Sequence, residues 1–181
     1  QAPPIDRIVH LAARAGVRHS TAEPLSFTDA NVRGQTVLLE LARGLGVRNL
    51  VYASSSSVYG RAASDWFSEA DPPDGPESVY GATKLAAEHL AHSYAALHGL
   101  PATGLRFFTV YGPWGRPDMA YSTFTDAILR GRPLTLYGEG RVQRDFTHID
   151  DITAGVCAAL DRPPTGSRPH RVYNLGNHRT T

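Results

Sequence analysis

A single cysteine, Cys157, is present, so no disulfide can close within these 181 residues. That usage fits a reducing compartment and points to the cytoplasm. Cys157 stands in the apolar run Ala154-Gly155-Val156-Cys157-Ala158-Ala159-Leu160, which places it in the core as an inert thiol. No run reaches the ~18 consecutive apolar residues of a membrane span. The first residues do not read as a signal peptide, so no membrane partner is expected. The eight histidines show no metal-ligand spacing, and no metal site is expected. A formal net charge of +1 leaves no basic excess for nucleic acid, and any anionic ligand must be held by local arginines. No Gly-x-Ser-x-Gly occurs, which excludes a nucleophile elbow at the serine-rich stretch.

Lysine is as scarce as cysteine. Lys84 is alone, and the other seventeen cationic side chains are arginine. The two are not interchangeable: lysine is a compact, titratable point charge, arginine a planar fork. A solvated surface cation would tolerate arginine, so Lys84 marks a position that needs an ammonium. It lies four residues after Tyr80 in Tyr80-Gly81-Ala82-Thr83-Lys84, and that spacing puts both on one helix face. A nearby cation and a helix N-terminus both favour a phenolate, so Tyr80 is expected to titrate below its usual range and to act as a proton acceptor. A surface Tyr/Lys pair is the plain alternative.

What is present reads as an ordinary globular chain, with 41% hydrophobic and 19% charged residues. The predicted order alternates strand and helix: strand 8–12, helix 24–44, strand 49–53 running into Ser54-Ser55-Ser56-Ser57, helix 78–98 and strand 102–108. A Pro- and Gly-rich loop lies between Gly60 and Glu77. Such alternation implies an α/β fold, a doubly wound parallel sheet covered on both faces. After Thr109 the character changes. Gly112-Pro113-Trp114-Gly115-Arg116-Pro117 cannot continue a regular element. Beyond it are expected a helix at 122–130, a short strand at 134–137, a hairpin at 138–144, a helix from about Asp150 and a strand at 172–175. Ligands of parallel sheets sit beyond the carboxyl ends of the strands. The Ala12-Ala13 turn, the serine run and Phe108-Thr109 would converge there beside the Tyr80 helix.

Several stretches together resemble the extended short-chain dehydrogenases that act on nucleotide sugars, the NAD-dependent epimerase/dehydratase family. They are His10-Leu11-Ala12-Ala13, Asn31-Val32-Arg33-Gly34, Ser54 to Gly60, the Tyr80–Lys84 pentad, Leu105 to Gly112 and Arg144-Asp145-Phe146. Gly104 to Met119 is close to the pattern of UDP-glucuronate 4-epimerases. The resemblance implies a Rossmann-like sheet, with 1–111 in the NAD-binding domain, 112–143 in a small substrate-binding part and 144–181 returning to the sheet. The family's GxxGxxG turn is absent and is expected upstream of Gln1, so the chain reads as the middle of a larger protein, short at both ends.

The resemblance also assigns roles. Tyr80 is the base for the sugar 4-hydroxyl, Lys84 bonds the nicotinamide ribose, and Ser55 bridges Tyr80 and the sugar. Ala12, Ala13 and Phe107 let NAD approach, and Asn31 lies near it. A mid-helix Asn costs propensity, which favours a specific hydrogen bond there. Arg116 faces the sugar carboxylate, a bidentate task suited to arginine. Ser55, Ser56, Ser57 and Thr109 help hold that carboxylate. Arg144 pairs with the UDP diphosphate, or alternatively with Asp145 or Asp150. Arg18 faces the ligand or solvent. The implied activity is interconversion of UDP-glucuronate and UDP-galacturonate through a 4-keto sugar. Sugar-nucleotide dehydratases carry Asp-Glu where Ser56-Ser57 stand, and UDP-glucuronate decarboxylases usually carry Glu at Ser57. UDP-galactose 4-epimerase and a non-catalytic NAD(P)-binding regulator remain as rivals. A homodimer through helices 24–44 and 78–98 is implied as well.

Overall fold

A computed structural model describes residues 4–60, 66–73, 75–136 and 143–179. Four strands, β1 (Arg7–His10), β2 (Asn49–Ser55), β3 (Ala102–Phe107) and β6 (His170–Leu175), form one wholly parallel sheet in the order β1-β2-β3-β6. Parallel pairing requires crossovers, and helices supply them. On one face lie α2 (Pro24–Thr28), α3 (Gly34–Leu45) and α4 (Val79–His98), with α1 (Val17–Ala22) beside them; α6 (Ile149–Asp161) covers the other. The fold is α/β, doubly wound and Rossmann-like, as the alternation predicted. β2 is buried almost throughout because it is covered on both sides. Leu50 and Tyr52 join Leu39, Ala42, Ala91 and Leu100 in the main core, while Asn49 Nδ2 turns to the Ala159 and Leu160 carbonyls that end α6.

The register aligns the strand ends that matter. Ser55 pairs with Phe107, and Phe107 with Leu175, so three carboxyl ends lie side by side. α4 starts close above them. Ser78 caps it, its Oγ accepting from Gly81 N at 3.0 Å. A Cβ at Gly81 would stand 2.5 Å from the Ser57 carbonyl oxygen, so only glycine permits the first turn of α4 to press on the serine turn.

Four expectations change. The predicted helix 24–44 is interrupted by a π turn, Asp29–Arg33, which holds the buried Asn31; single π turns inserted in α-helices are frequent at functional sites. The predicted strand 102–108 ends at Phe107, and Thr109–Tyr111 (β4) leaves to pair in parallel with Phe146–His148 (β5) in a second sheet. Residues 134–136 form no strand: Pro133 precedes them, and Leu134 and Leu136 are exposed. Tyr137 and most of the hairpin expected at 138–144 lie outside the described residues. Cys157 is exposed, not buried. α6 buries Ile152 and packs Gly155 on Leu175, and Cys157 falls on the opposite side of that helix. The helices expected at 122–130 and from 150 are α5 (Ala120–Leu129) and α6. Among the described residues, no helix is long and apolar enough to cross a membrane.

The sheet also holds a titratable core. The Tyr52 hydroxyl and His170 Nε2 are 2.8 Å apart, and His92 meets the His170 ring edge-on at 5.6 Å. Burial first, and the His92 charge next, push His170 down to about 4. An unfolded histidine binds its proton near 6.5, so between about 6.5 and 4 the unfolded state holds more protons and stability falls as the pH is lowered. The expected loss across that window is on the order of 2–3 kcal/mol. His10, depressed by burial and by Lys84, adds in the same direction. Urea midpoints at stepped pH check this: His170→Gln should flatten the curve, and an unchanged slope in that variant would exclude His170 as its source.

Candidate active site

β2 runs directly into a 3₁₀ turn, Ser56–Tyr59, and Ser55 caps that turn with extended backbone, its Oγ accepting from Ser57 N at 3.2 Å. The neighbouring Ser54 points the other way, into the fold, and donates to Glu88 Oε1 at 2.5 Å. Two serines one residue apart thus do different work, as strand alternation requires. Above Ser55 stands Tyr80, in the first turn of α4, with its ring edge-on to Phe27 at 6.3 Å. Lys84 follows one turn later; its Nζ lies 6.0 Å from the Tyr80 ring centroid and donates to the Ala53 carbonyl at 2.9 Å. The single lysine is buried, and burial lowers it to about 8.

The expected acidification of Tyr80 is corrected in two respects. Burial raises the phenol above its usual value and outweighs the opposing pulls. Those pulls come from a hydrogen bond with the Ser55 side chain and from the Arg116 charge. Lys84 is turned towards the end of β2 and does not supply them. Its nearness to the ring leaves the i,i+4 reading of the pentad intact as geometry, while the electrostatic partner of Tyr80 is Arg116.

An open trough of about 2460 Å³ lies beyond the strand ends. Ser55, Ser56, Ser57, Tyr80, Phe107, Thr109, Arg116, Arg144 and Arg18 all line it. A smaller recess of about 430 Å³ adjoins it, lined by Ala13, Arg14 and Phe27 and sharing Ala15, His19, Arg116 and Asp118 with the trough's wall. Ala12 is exposed on the same turn after β1. Asn31 lies behind this turn. Its side chain accepts from Arg14 N at 2.8 Å and donates to Arg14 O and to Thr83 Oγ1, each at 3.0 Å, and Thr83 donates to Tyr80 O at 2.8 Å. Asn31 therefore makes the specific hydrogen bonds that its place in a helix foretold, but to the protein: it ties the turn after β1 to the Tyr80 helix. Arg144 Nη1 donates to the Gln143 carbonyl. The neighbouring Asp145 is taken up by Thr147 Oγ1 and by the backbone amides of Asn177 and His178.

Sequence reasoning missed the support beneath the serines. Glu88 is clasped by Arg106, Nε to Oε1 at 2.9 Å and Nη2 to Oε2 at 2.7 Å, and the Arg106 guanidinium lies 4.6 Å over the Tyr59 ring. The Tyr59 hydroxyl donates to Asn174 Oδ1 at 2.7 Å. A signal existed: Arg106 is a charge inside an apolar strand, and Glu88 lies i+4 from Lys84 on the face of α4 that packs inward.

The chain matches the NAD dependent epimerase/dehydratase family over residues 1–176. It is 51% identical over 158 residues to a probable UDP-glucuronate 4-epimerase of Rhizobium meliloti, covering 87% of this chain and 46% of that one. It is 49% identical over 183 residues to UDP-glucuronate 4-epimerase 1 of Arabidopsis thaliana, covering 94% and 43%. The crystal structure of UDP-glucuronic acid 4-epimerase from Bacillus cereus, in complex with UDP-glucuronic acid and NAD, superposes with a TM-score of 0.89 at 39% identity, covering 98% and 55%. The chain thus spans about half the length of the curated relatives it matches. With a family match over nearly all its residues, the chain belongs to the NAD dependent epimerase/dehydratase family.

Proposed function

We propose that the protein containing this chain interconverts UDP-glucuronate and UDP-galacturonate by NAD-dependent 4-epimerisation. The observation that carries this reading is that Tyr80, Arg116, Ser56 and Ser57 line one trough, with the Arg116 charge acting on the Tyr80 phenol and serines standing where the resemblance puts two acids in dehydratases. Arginine is suited to a carboxylate, and the trough offers no added acid at those two positions to drive elimination.

The residues present fit the cofactor. Ala12 and Ala13 leave an open turn beyond β1, and the Lys84 ammonium carries three donors, of which Ala53 takes one. NAD, when bound, supplies the hydride acceptor and donor. The rest falls to the chain. Tyr80 takes the proton of the sugar 4-hydroxyl as a ketone forms at carbon four, and gives it back when the ring has turned and the hydroxyl is remade. Ser55 hydrogen-bonds the same phenol and orients it. Arg116, with Ser56, Ser57 and Thr109, grips the uronate carboxylate. That grip has a second purpose: a 4-keto uronate is a β-keto acid and loses carbon dioxide unless its carboxyl carbon bond is held out of line with the ketone. Arg144 would face the diphosphate, and Arg18 the ligand or solvent. Residues 112–143 would form the substrate-binding part, between the NAD-binding part at 1–111 and the return at 144–181. A homodimer through α2–α3 and α4 fits the exposed row Val37, Leu41 and Leu45 on α3 and the exposed Leu97 on α4.

Incubating the full-length protein with UDP-glucuronate and separating the nucleotide sugars tests the reading. UDP-galacturonate at equilibrium with its substrate is expected. A UDP-pentose as the main product would reassign the site to decarboxylation. An unchanged substrate would leave a binding protein.

A further inference from the structure

The Nε/Nη2 edge of the Arg116 guanidinium is already occupied. Its Nε donates to Asp118 Oδ1 at 2.9 Å and its Nη2 to Oδ2 at 2.5 Å, so a carboxylate of the chain already makes the two parallel bonds a uronate would make. Both side chains are 45% exposed, on the wall shared by the trough and the smaller recess. The pair rests on the turn before α1. Gly16 there has φ 121, and a Cβ on it would lie 3.6 Å from Arg116 Nη2 and 3.0 Å from the His19 ring. The Arg116 hydrogen bond first, with the Arg116 and His19 charges also contributing, holds the Asp118 carboxyl below its ordinary range, so it is ionised at neutral pH.

We propose that Asp118 is a specificity-determining residue: its carboxylate occupies the Nε/Nη2 edge of Arg116 until a nucleotide-linked uronate takes that edge from it. This rests on reading the trough as a uronate site. The exchange has two consequences. A neutral hexose has no group to displace Asp118 and leaves the ion pair as it is. A uronate replaces one carboxylate with another and leaves the guanidinium paired. An ion pair this exposed contributes little, so giving it up is cheap. The cost still falls on the uronate alone, which makes its affinity the reporter.

The test is equilibrium binding of UDP-glucuronate, UDP-glucose and UDP to the NAD-loaded full-length protein, as wild type, Asp118→Asn, Arg116→Ala and the double variant. Asp118→Asn is expected to tighten UDP-glucuronate about three- to tenfold while UDP-glucose and UDP stay where they were. In the Arg116→Ala background the same change should do nothing, because no fork remains to compete for. Equal tightening of all three ligands would make the effect a general charge change and overturn the proposal. Selective weakening of UDP-glucuronate would show that Asp118 only orients Arg116, and weakening of all three would show a structural role; either overturns it too. If the wild type binds UDP-glucuronate and UDP-glucose alike and Arg116→Ala changes neither, the uronate reading itself fails. If the wild type discriminates and Asp118→Asn leaves that discrimination untouched, only the exchange fails.

Discussion

Tyr80→Phe is expected to lower kcat for UDP-glucuronate epimerisation by about 10²–10⁴-fold, the range that a positioned acid–base group supplies. The substitution removes one oxygen and keeps the ring that meets Phe27 edge-on, so the first turn of α4 and its Ser78 cap should hold. UDP-glucuronate affinity should change little, because Arg116 and the serines make the carboxylate contacts in this reading. The pH profile carries the finer test. Burial raises the Tyr80 phenol, so the rate should climb with pH over the neutral and alkaline range as the phenolate forms. Ser55 and Arg116 pull the other way, and Ser55→Ala should therefore move the rising limb to higher pH. A Tyr80→Phe enzyme that still turns over within about tenfold of wild type would remove the phenol from the chemistry, whatever the binding data show.

The parts of this site that sequence revealed are those set by local rules. The serine run sits at a strand end, Tyr80 and Lys84 share a helix face by spacing, and the specific hydrogen bonds of Asn31 follow from an asparagine placed within a helix. The pairing of Ser55 with Phe107 then brought those local pieces to one edge, as the alternation of strands and helices required. What escaped depended on distance through space. β4 finds β5 only because the chain from Gly112 to Asp145 returns to the same edge, and no pattern in Thr109-Val110-Tyr111 names that partner. Spacing shows that Lys84 is near Tyr80, but not that burial raises the phenol nor that the ammonium is turned to Ala53. Cys157 is exposed although it stands in an apolar run, because such a run says nothing about which side of a helix is covered. Asp118 was in view, two residues from Arg116, yet only side-chain geometry shows that it already occupies the Nε/Nη2 edge of the guanidinium.

The pair beneath the serines should dominate stability. Glu88 and Arg106 are 5% and 4% exposed, and each takes the other's charge through two hydrogen bonds. Glu88→Ala would strand a buried guanidinium and leave the Ser54 hydroxyl without its acceptor, at a cost of about 3–5 kcal/mol. The loss should come from the orphaned charge rather than from missing attraction, since a buried ion pair offsets little more than its own desolvation. Glu88→Leu with Arg106→Met should therefore recover much of what the single change loses. Denaturant midpoints at matched slope measure both. Activity should separate them. Ser54 is bonded to Glu88 and is the residue before Ser55, while Glu88 lies one turn beyond Lys84, so the pair ties the end of β2 to α4. The double variant, though stable, should still turn over more slowly than wild type, because an apolar pair fills space but gives Ser54 nothing to hold. Full activity in that variant would make the network a matter of packing alone, and a midpoint shift worth less than about 1 kcal/mol for Glu88→Ala would mean that Arg106 finds another partner when its carboxylate is gone.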